Sequence, residues 1–155
     1  MAFNNPQTWL QLNRIVRFGE TDAAGVIHFY QLLCWCHESW EESLQRYGLE
    51  ALDIFPGLQN DGENPEVSLP IVHCQADFLA PIKIGDNLSI ELEPEKINMS
   101  TFRVKTIFYC SQNIVARGLI QHLAIHSTTR SRCALPEKID LWLEASCLKL
   151  GPRNC

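Results

Sequence analysis

A single apolar stripe at helical spacing, followed by segments that alternate with period two, limits what this chain can fold into. Phe29, Leu32, Leu33, Cys36, Trp40, Leu44 and Tyr47 recur at steps of three and four, while Gln31, Glu38, Glu41, Glu42, Gln45 and Arg46 fall mainly between them. The spacing predicts one long amphipathic helix that stops at Gly48, a residue suited to a left-handed C-terminal cap. That helix must bury its stripe, and most of the remaining chain offers strands to bury it against. Residues 71–79 form one candidate. Leu88, Ile90 and Leu92 alternate with Ser89, Glu91 and Glu93, and Phe102, Val104, Thr106 and Phe108 alternate with Arg103, Lys105, Ile107 and Tyr109. Ser111-Gln112-Asn113 predicts a turn. Residues 114–127 then carry two interleaved faces, so cover is expected on both sides. Residues 9–17 predict a first strand, and residues 53–70 a loop with one short helical turn. Pro136 opens a short last helix with Ile139, Trp142, Leu143 and Cys147 at helical spacing. A sheet carrying one helix on a face, an α+β architecture, is the simplest solution.

At 155 residues, the chain is expected to form one domain over residues 1–155. A formal charge of −5 argues against a nucleic-acid partner, which calls for a basic footprint. No run of about 18 apolar residues is present to span a membrane, and the first residues lack the basic-then-apolar pattern of a secretory leader. The seven cysteines are odd in number and match no small disulfide scaffold, which predicts reduced thiols and a cytoplasmic protein.

The chemistry-bearing feature is Asp22, in a glycine-flanked loop just before the helical stripe. An aspartate there ordinarily caps a helix. A carboxylate beside unpaired helix N–H groups can also attack a carbonyl or activate water, with the N–H donors stabilising the negative charge that develops. Glu20 reads as a solvated loop charge, and His122 and His126 as core or interface histidines. Cys34-Trp35-Cys36-His37 lacks Cys-x-x-Cys spacing and falls within the helix, where adjacent side chains diverge, so it is not read as a metal site. No Gly-x-Ser-x-Gly elbow is present.

The element order, together with Arg17-Phe18-Gly19-Glu20-Thr21-Asp22-Ala23-Ala24-Gly25-Val26-Ile27-His28-Phe29 and the Gly85-Asp86 pair, resembles the 4-hydroxybenzoyl-CoA thioesterase family of hotdog-fold proteins. The resemblance implies a curved antiparallel β-sheet wrapped around one long α-helix, with two subunits pairing to form sites at their interface, as a homodimer or homotetramer. It implies an acyl-CoA substrate, with an aryl acyl group suggested by the wording of residues 20–29, and no cofactor or metal. Asp22 becomes the nucleophile or the general base for water. The backbone N–H of Phe29, seven residues on, becomes the oxyanion donor, its side chain being read as core. Gly25 would let the backbone approach the thioester without a Cβ in the way. His28 is a candidate contact for an aromatic ring or phenolic oxygen. For the CoA phosphates the residues themselves offer Arg130 and Arg132, which follow the last strand. Two alternatives stay open: a fatty acyl-CoA or acyl-carrier-protein thioesterase, and a non-catalytic protein that binds acyl groups or serves in assembly.

Overall fold

The computed structural model describes residues 5–55 and 65–147. The sheet contains five strands in the order β1-β4-β5-β6-β3, every neighbouring pair antiparallel. They are β1 (Gln11–Ile15), β3 (Ile71–Phe78), β4 (Asn87–Asn98), β5 (Thr101–Cys110) and β6 (Asn113–Leu123), and a small ladder joins β2 (Val67–Ser68) to β7 (Ile125–His126). The long helix α2 runs from Gln31 to Tyr47, between the short helices α1 (Gln7–Leu10) and α3 (Ala51–Ile54); α4 (Glu137–Cys147) closes the described chain.

The α2 stripe is buried much as its periodicity requires: Leu32, Trp35, Cys36, Trp40 and Leu44 are all inaccessible. Gly48 ends the helix with φ at 112°, and its N–H reaches the carbonyls of Leu44 and Gln45. On the sheet, Leu88, Ile90, Leu92, Phe102, Val104, Phe108, Ala116 and Ile120 form the covered face. Gly118 belongs to the same face, where a Cβ would overlap the Sγ of Cys36; the helix and β6 approach this closely because the glycine has no side chain. The Ser111-Gln112 turn joins β5 to β6 with φ at 48° and 69°, as a tight two-residue hairpin requires. Helix α4 is pinned at two points by indole hydrogen bonds. Trp142 Nε1 donates to Ser43 Oγ on α2, and Trp9 Nε1 donates to Ser146 Oγ on α4.

Several expectations change at this level. Residues 9 and 10, read as the start of a strand, belong to a helical turn (Gln7–Leu10) after Pro6; a single turn is too short to separate a period of 3.6 from one of 2. Helix α2 begins two residues after Phe29, whose side chain is 77% exposed and not part of the core. Residues 114–127 divide at Ala124 into β6 and β7. The outer face of β6 is only half covered in a single chain, with Leu119 and Gln121 partly accessible and Arg117 exposed. Cys34, Cys36, Cys74, Cys110 and Cys133 are free thiols, whereas Cys147 is disulfide-bonded, so reduced thiols do not describe every cysteine. The loop expected over 53–70 lies partly outside the described residues; Ala51–Ile54 supplies a helical turn at its start.

His122 is a core histidine, as expected. Its ring stacks on Phe102 at 4.9 Å and lies 4.3 Å from Trp40, and Nδ1–H donates to the Leu69 carbonyl. Burial pushes its pKa down to about 4. His126 sits instead on β7, 3.6 Å from the Glu66 carboxylate.

Candidate active site

Residues 20–28 fold back on themselves as a miniature hairpin between a 3-10 turn (Phe18–Glu20) and α2. The Glu20 carbonyl accepts the His28 N–H at 3.0 Å, Thr21 bridges Ile27, and the Asp22 N–H donates to the Val26 carbonyl at 2.8 Å. At the tip the Gly25 N–H returns to the Asp22 carbonyl, with Gly25 at φ +79°. A left-handed conformation, not crowding, is what this glycine supplies: the space where its Cβ would stand is open.

Asp22 is not a helix cap. One carboxylate oxygen, Oδ1, accepts the Ala24 N–H at 2.8 Å, while Oδ2 has no partner among the described residues. The carboxylate is therefore oriented by one hydrogen bond and keeps an oxygen for chemistry. Phe29 follows His28 where the chain leaves the hairpin for α2, and its N–H donates to no backbone carbonyl among the described residues. An available donor near the start of a 17-residue helix, whose dipole adds partial positive charge, suits a developing oxyanion.

Asp22, His28 and Phe29 line one cavity of about 520 Å³ together with Val26 and Ile27. The rest of its lining is Phe78, Leu79, Ala80, Pro81 and Ile82, where the chain leaves β3 and meets the hairpin through the Ile27 N–H and the Ile82 carbonyl. This apolar wall was not anticipated from the sequence, although the unbroken apolar run 78–82 at the end of a strand carried the signal. His28 is half-buried, and its ring stacks on Tyr30 at 5.2 Å with only 11° between planes. The cavity is thus walled by aromatic and aliphatic groups, with Asp22 as its carboxylate and Phe29, whose N–H is available, among its lining residues, a composition typical of small-molecule sites.

Arg130 and Arg132 do not reach this cavity within one chain. They occupy the turn after β7, where the Arg130 N–H donates to the His126 carbonyl and Arg132 bridges Ile125. That turn follows the end of β6 that pairs Ile71 with His122; the cavity lies at the other end, where Phe78 pairs with Ala116. Seven residues of strand separate the two ends, roughly 23 Å.

Glu20 departs most from its expected role. Its side chain is 14% exposed, and its two oxygens take three donors. Oε1 accepts Arg14 Nη2 at 2.6 Å and Trp35 Nε1 at 3.2 Å, and Oε2 accepts the Arg17 N–H at 2.8 Å. Arg14 also reaches Glu38 on α2 and lies 5.0 Å over the Trp35 ring. Burial by itself raises the carboxyl's pKa, but the Arg17 N–H, Arg14 and Trp35 outweigh it and hold the group below its ordinary value.

The sequence profile of the thioesterase-like superfamily matches residues 16–143. A 1,4-dihydroxy-2-naphthoyl-CoA hydrolase of Prochlorococcus marinus (strain MIT 9313) is 61% identical over 142 residues, covering 92% of this chain and 94% of that protein. The Synechococcus sp. (strain CC9311) protein of the same name is 63% identical over 138 residues, with 89% and 91% covered. Among solved structures, a 1,4-dihydroxy-2-naphthoyl-CoA thioesterase from Synechocystis superposes with a TM-score of 0.75 at 31% identity, covering 89% of this chain and 95% of that one.

Proposed function

Because the chain belongs to the thioesterase-like superfamily, we propose that it hydrolyses 1,4-dihydroxy-2-naphthoyl-CoA to 1,4-dihydroxy-2-naphthoate and CoA, a step in phylloquinone biosynthesis. Within the superfamily, the wording of residues 17–29 supports a place in the 4-hydroxybenzoyl-CoA thioesterase family. The observation that carries the reading is a single hairpin that brings a carboxylate with an unengaged oxygen and an available N–H to the same apolar cavity. In this reading the Asp22 carboxylate adds to the thioester carbonyl, or draws a proton from the water that adds. The Phe29 N–H takes the charge that collects on the carbonyl oxygen. Collapse then breaks the C–S bond and releases CoA as a thiolate; where Asp22 itself has added, water next cleaves the acyl–carboxylate anhydride, freeing the naphthoate and restoring the carboxylate. An ordinary thiol has a pKa near 8.5, so departure requires no dedicated acid, which accounts for so sparse a polar centre.

The aromatic acyl group fits between the 78–82 wall and the His28 ring, and CoA extends outward. One chain leaves the sheet edge at β3 open, with Ile71, Val72, Phe78 and Leu79 each about half exposed. Antiparallel pairing of two β3 strands covers that edge and sets the Ile71 end of one copy against the Phe78 end of the other. Arg130 and Arg132 of the second copy then approach the cavity, a geometry that supports them as phosphate contacts and the dimer, alone or doubled to a tetramer, as the working unit. Five free thiols among the described residues, beside the disulfide-bonded Cys147, support a cytoplasmic setting, and no described helix is long and apolar enough to cross a membrane.

Hydrolysis of a panel of aryl- and alkyl-CoA thioesters, read as released thiol, tests the assignment. The naphthoyl substrate is expected to be preferred over long alkyl chains. Asp22→Asn is expected to lower the rate on the order of 10²–10⁴-fold. A folded Asp22→Asn protein with unchanged turnover removes Asp22 from the mechanism, and saturable binding without turnover across the panel points to a non-catalytic acyl-binding protein.

A further inference from the structure

The two groups assigned to the chemistry hang from one residue. Glu20 anchors the hairpin at its base through its backbone, by accepting the His28 N–H, and so fixes the direction in which the next N–H, that of Phe29, leaves the turn. Through its side chain the same residue grips the scaffold on three sides: β1 through Arg14, the 3-10 turn through the Arg17 N–H, and α2 through Trp35. Asp22 stands two residues further along, and its own bonds, to Ala24, Gly25 and Val26, stay inside the hairpin. Among the described residues, the other hydrogen bonds and bridges from residues 21–28 to the rest of the chain are the Thr21 N–H and hydroxyl to the Phe18 carbonyl, the Ile27 N–H to the Ile82 carbonyl, the Gln31 N–H to the His28 carbonyl and the bridge of Val26 with Lys83.

We propose that Glu20 is a positioning residue for hydrolysis, setting the separation and orientation of the Asp22 carboxylate and the Phe29 N–H by fastening the base of their hairpin to β1 and α2. The inference rests on Asp22 acting as proposed above. Glu20 lines no part of the cavity, so its effect passes through those two groups and not through the substrate. Its loss should therefore weaken the transition state and leave substrate binding alone, since a displacement of about 1 Å at the reacting groups can cost on the order of 10²-fold in rate.

The test is a double-mutant cycle on the native protein with 1,4-dihydroxy-2-naphthoyl-CoA, following released CoA. Glu20→Gln keeps the volume but turns one amide NH2 toward a donor, Arg14 with Trp35 or the Arg17 N–H. The expected result is a fall in kcat on the order of 10–10²-fold with KM within about twofold of native. In an Asp22→Asn background the same change should cost a clearly smaller factor, about two- to fivefold, because one of the two groups it aims is already disabled and only the Phe29 N–H remains. A Glu20→Gln protein with native kcat, an equal loss in both backgrounds, or a loss confined to KM overturns the proposal while leaving the role of Asp22 standing. An inert Asp22→Asn change would instead overturn the underlying reading. If Glu20→Gln does not fold, Arg14→Gln carries the same cycle, with the same pattern expected and a native kcat counting against the proposal.

Discussion

His122 is a titratable ring held where a charge has no solvent. Trp40 and Phe102 cover its faces, the Leu69 carbonyl takes its Nδ1–H, and Nε2 is buried without a hydrogen-bond partner among the described residues. His37 on α2, at 6.3 Å between ring centres, also disfavours a positive charge on this ring. The folded pKa of about 4 lies below the ordinary value near 6.5, so between these limits the unfolded chain binds more protons than the folded one. The stability His122 confers is complete above pH 6.5 and is lost as the pH falls toward 4, on the order of 3 kcal/mol across the window. Urea unfolding at pH 7, 5.5 and 4.5 should show this decline, and His122→Phe should flatten it. The sequence made a core histidine the reasonable expectation here, because His122 shares the face of Ala116, Gly118 and Ile120. The same reasoning failed at Glu20. Nothing local distinguishes a glutamate between Gly19 and Thr21 from a solvated one; its partners Arg14 and Trp35 are 6 and 15 residues away and meet it only once β1 and α2 are in place.

Helix α2 and the sheet meet most closely where Cys36 covers Gly118. Gly118→Ala forces a methyl group into an occupied position and should destabilise the protein by about 1–3 kcal/mol, the usual cost of overpacking. Cys36→Ala in the same chain vacates the space, so the double variant should recover most of the loss in thermal unfolding, whereas independent effects would add. The elements themselves were legible for a simple reason. A stripe that repeats over 17 residues, and alternation that repeats over 10 or so, leave period as a clear signal, and Gly48 and Pro136 mark their limits. Legibility ended where elements were short or context decided: the four-residue α1 offered no period, and Phe29 continued the helical spacing without belonging to the helix. The candidate site divided in the same way. Asp22 and the Phe29 N–H could be proposed from one stretch of sequence, but the 78–82 wall comes from a segment about 50 residues later.

The proposed pairing of two β3 edges is a property of the whole molecule and carries its own test. The Leu79 N–H donates to the Val115 carbonyl, and in an antiparallel ladder the inward-bonding residues alternate, so Ala76 turns its N–H away from β6. Ala76→Pro removes that outward donor while sparing the bonds to β6, a substitution that edge strands tolerate. If the proposed dimer is the working unit, the expected outcome is a folded monomer by light scattering, with sharply reduced hydrolysis from loss of the proposed Arg130 and Arg132 contacts. A persistent dimer would place the contact elsewhere.

The cavity draws its lining from two segments far apart in sequence, the 22–29 hairpin with the proposed reacting groups and the 78–82 strand exit that shapes the space beside them. Reactivity and selectivity can therefore vary on independent evolutionary clocks. Under the proposed function, substitutions at Phe78 or Leu79 are expected to change the acyl group accepted more than the bond-breaking step, so one ancestral hydrolase could diversify into many by drifting along a five-residue segment.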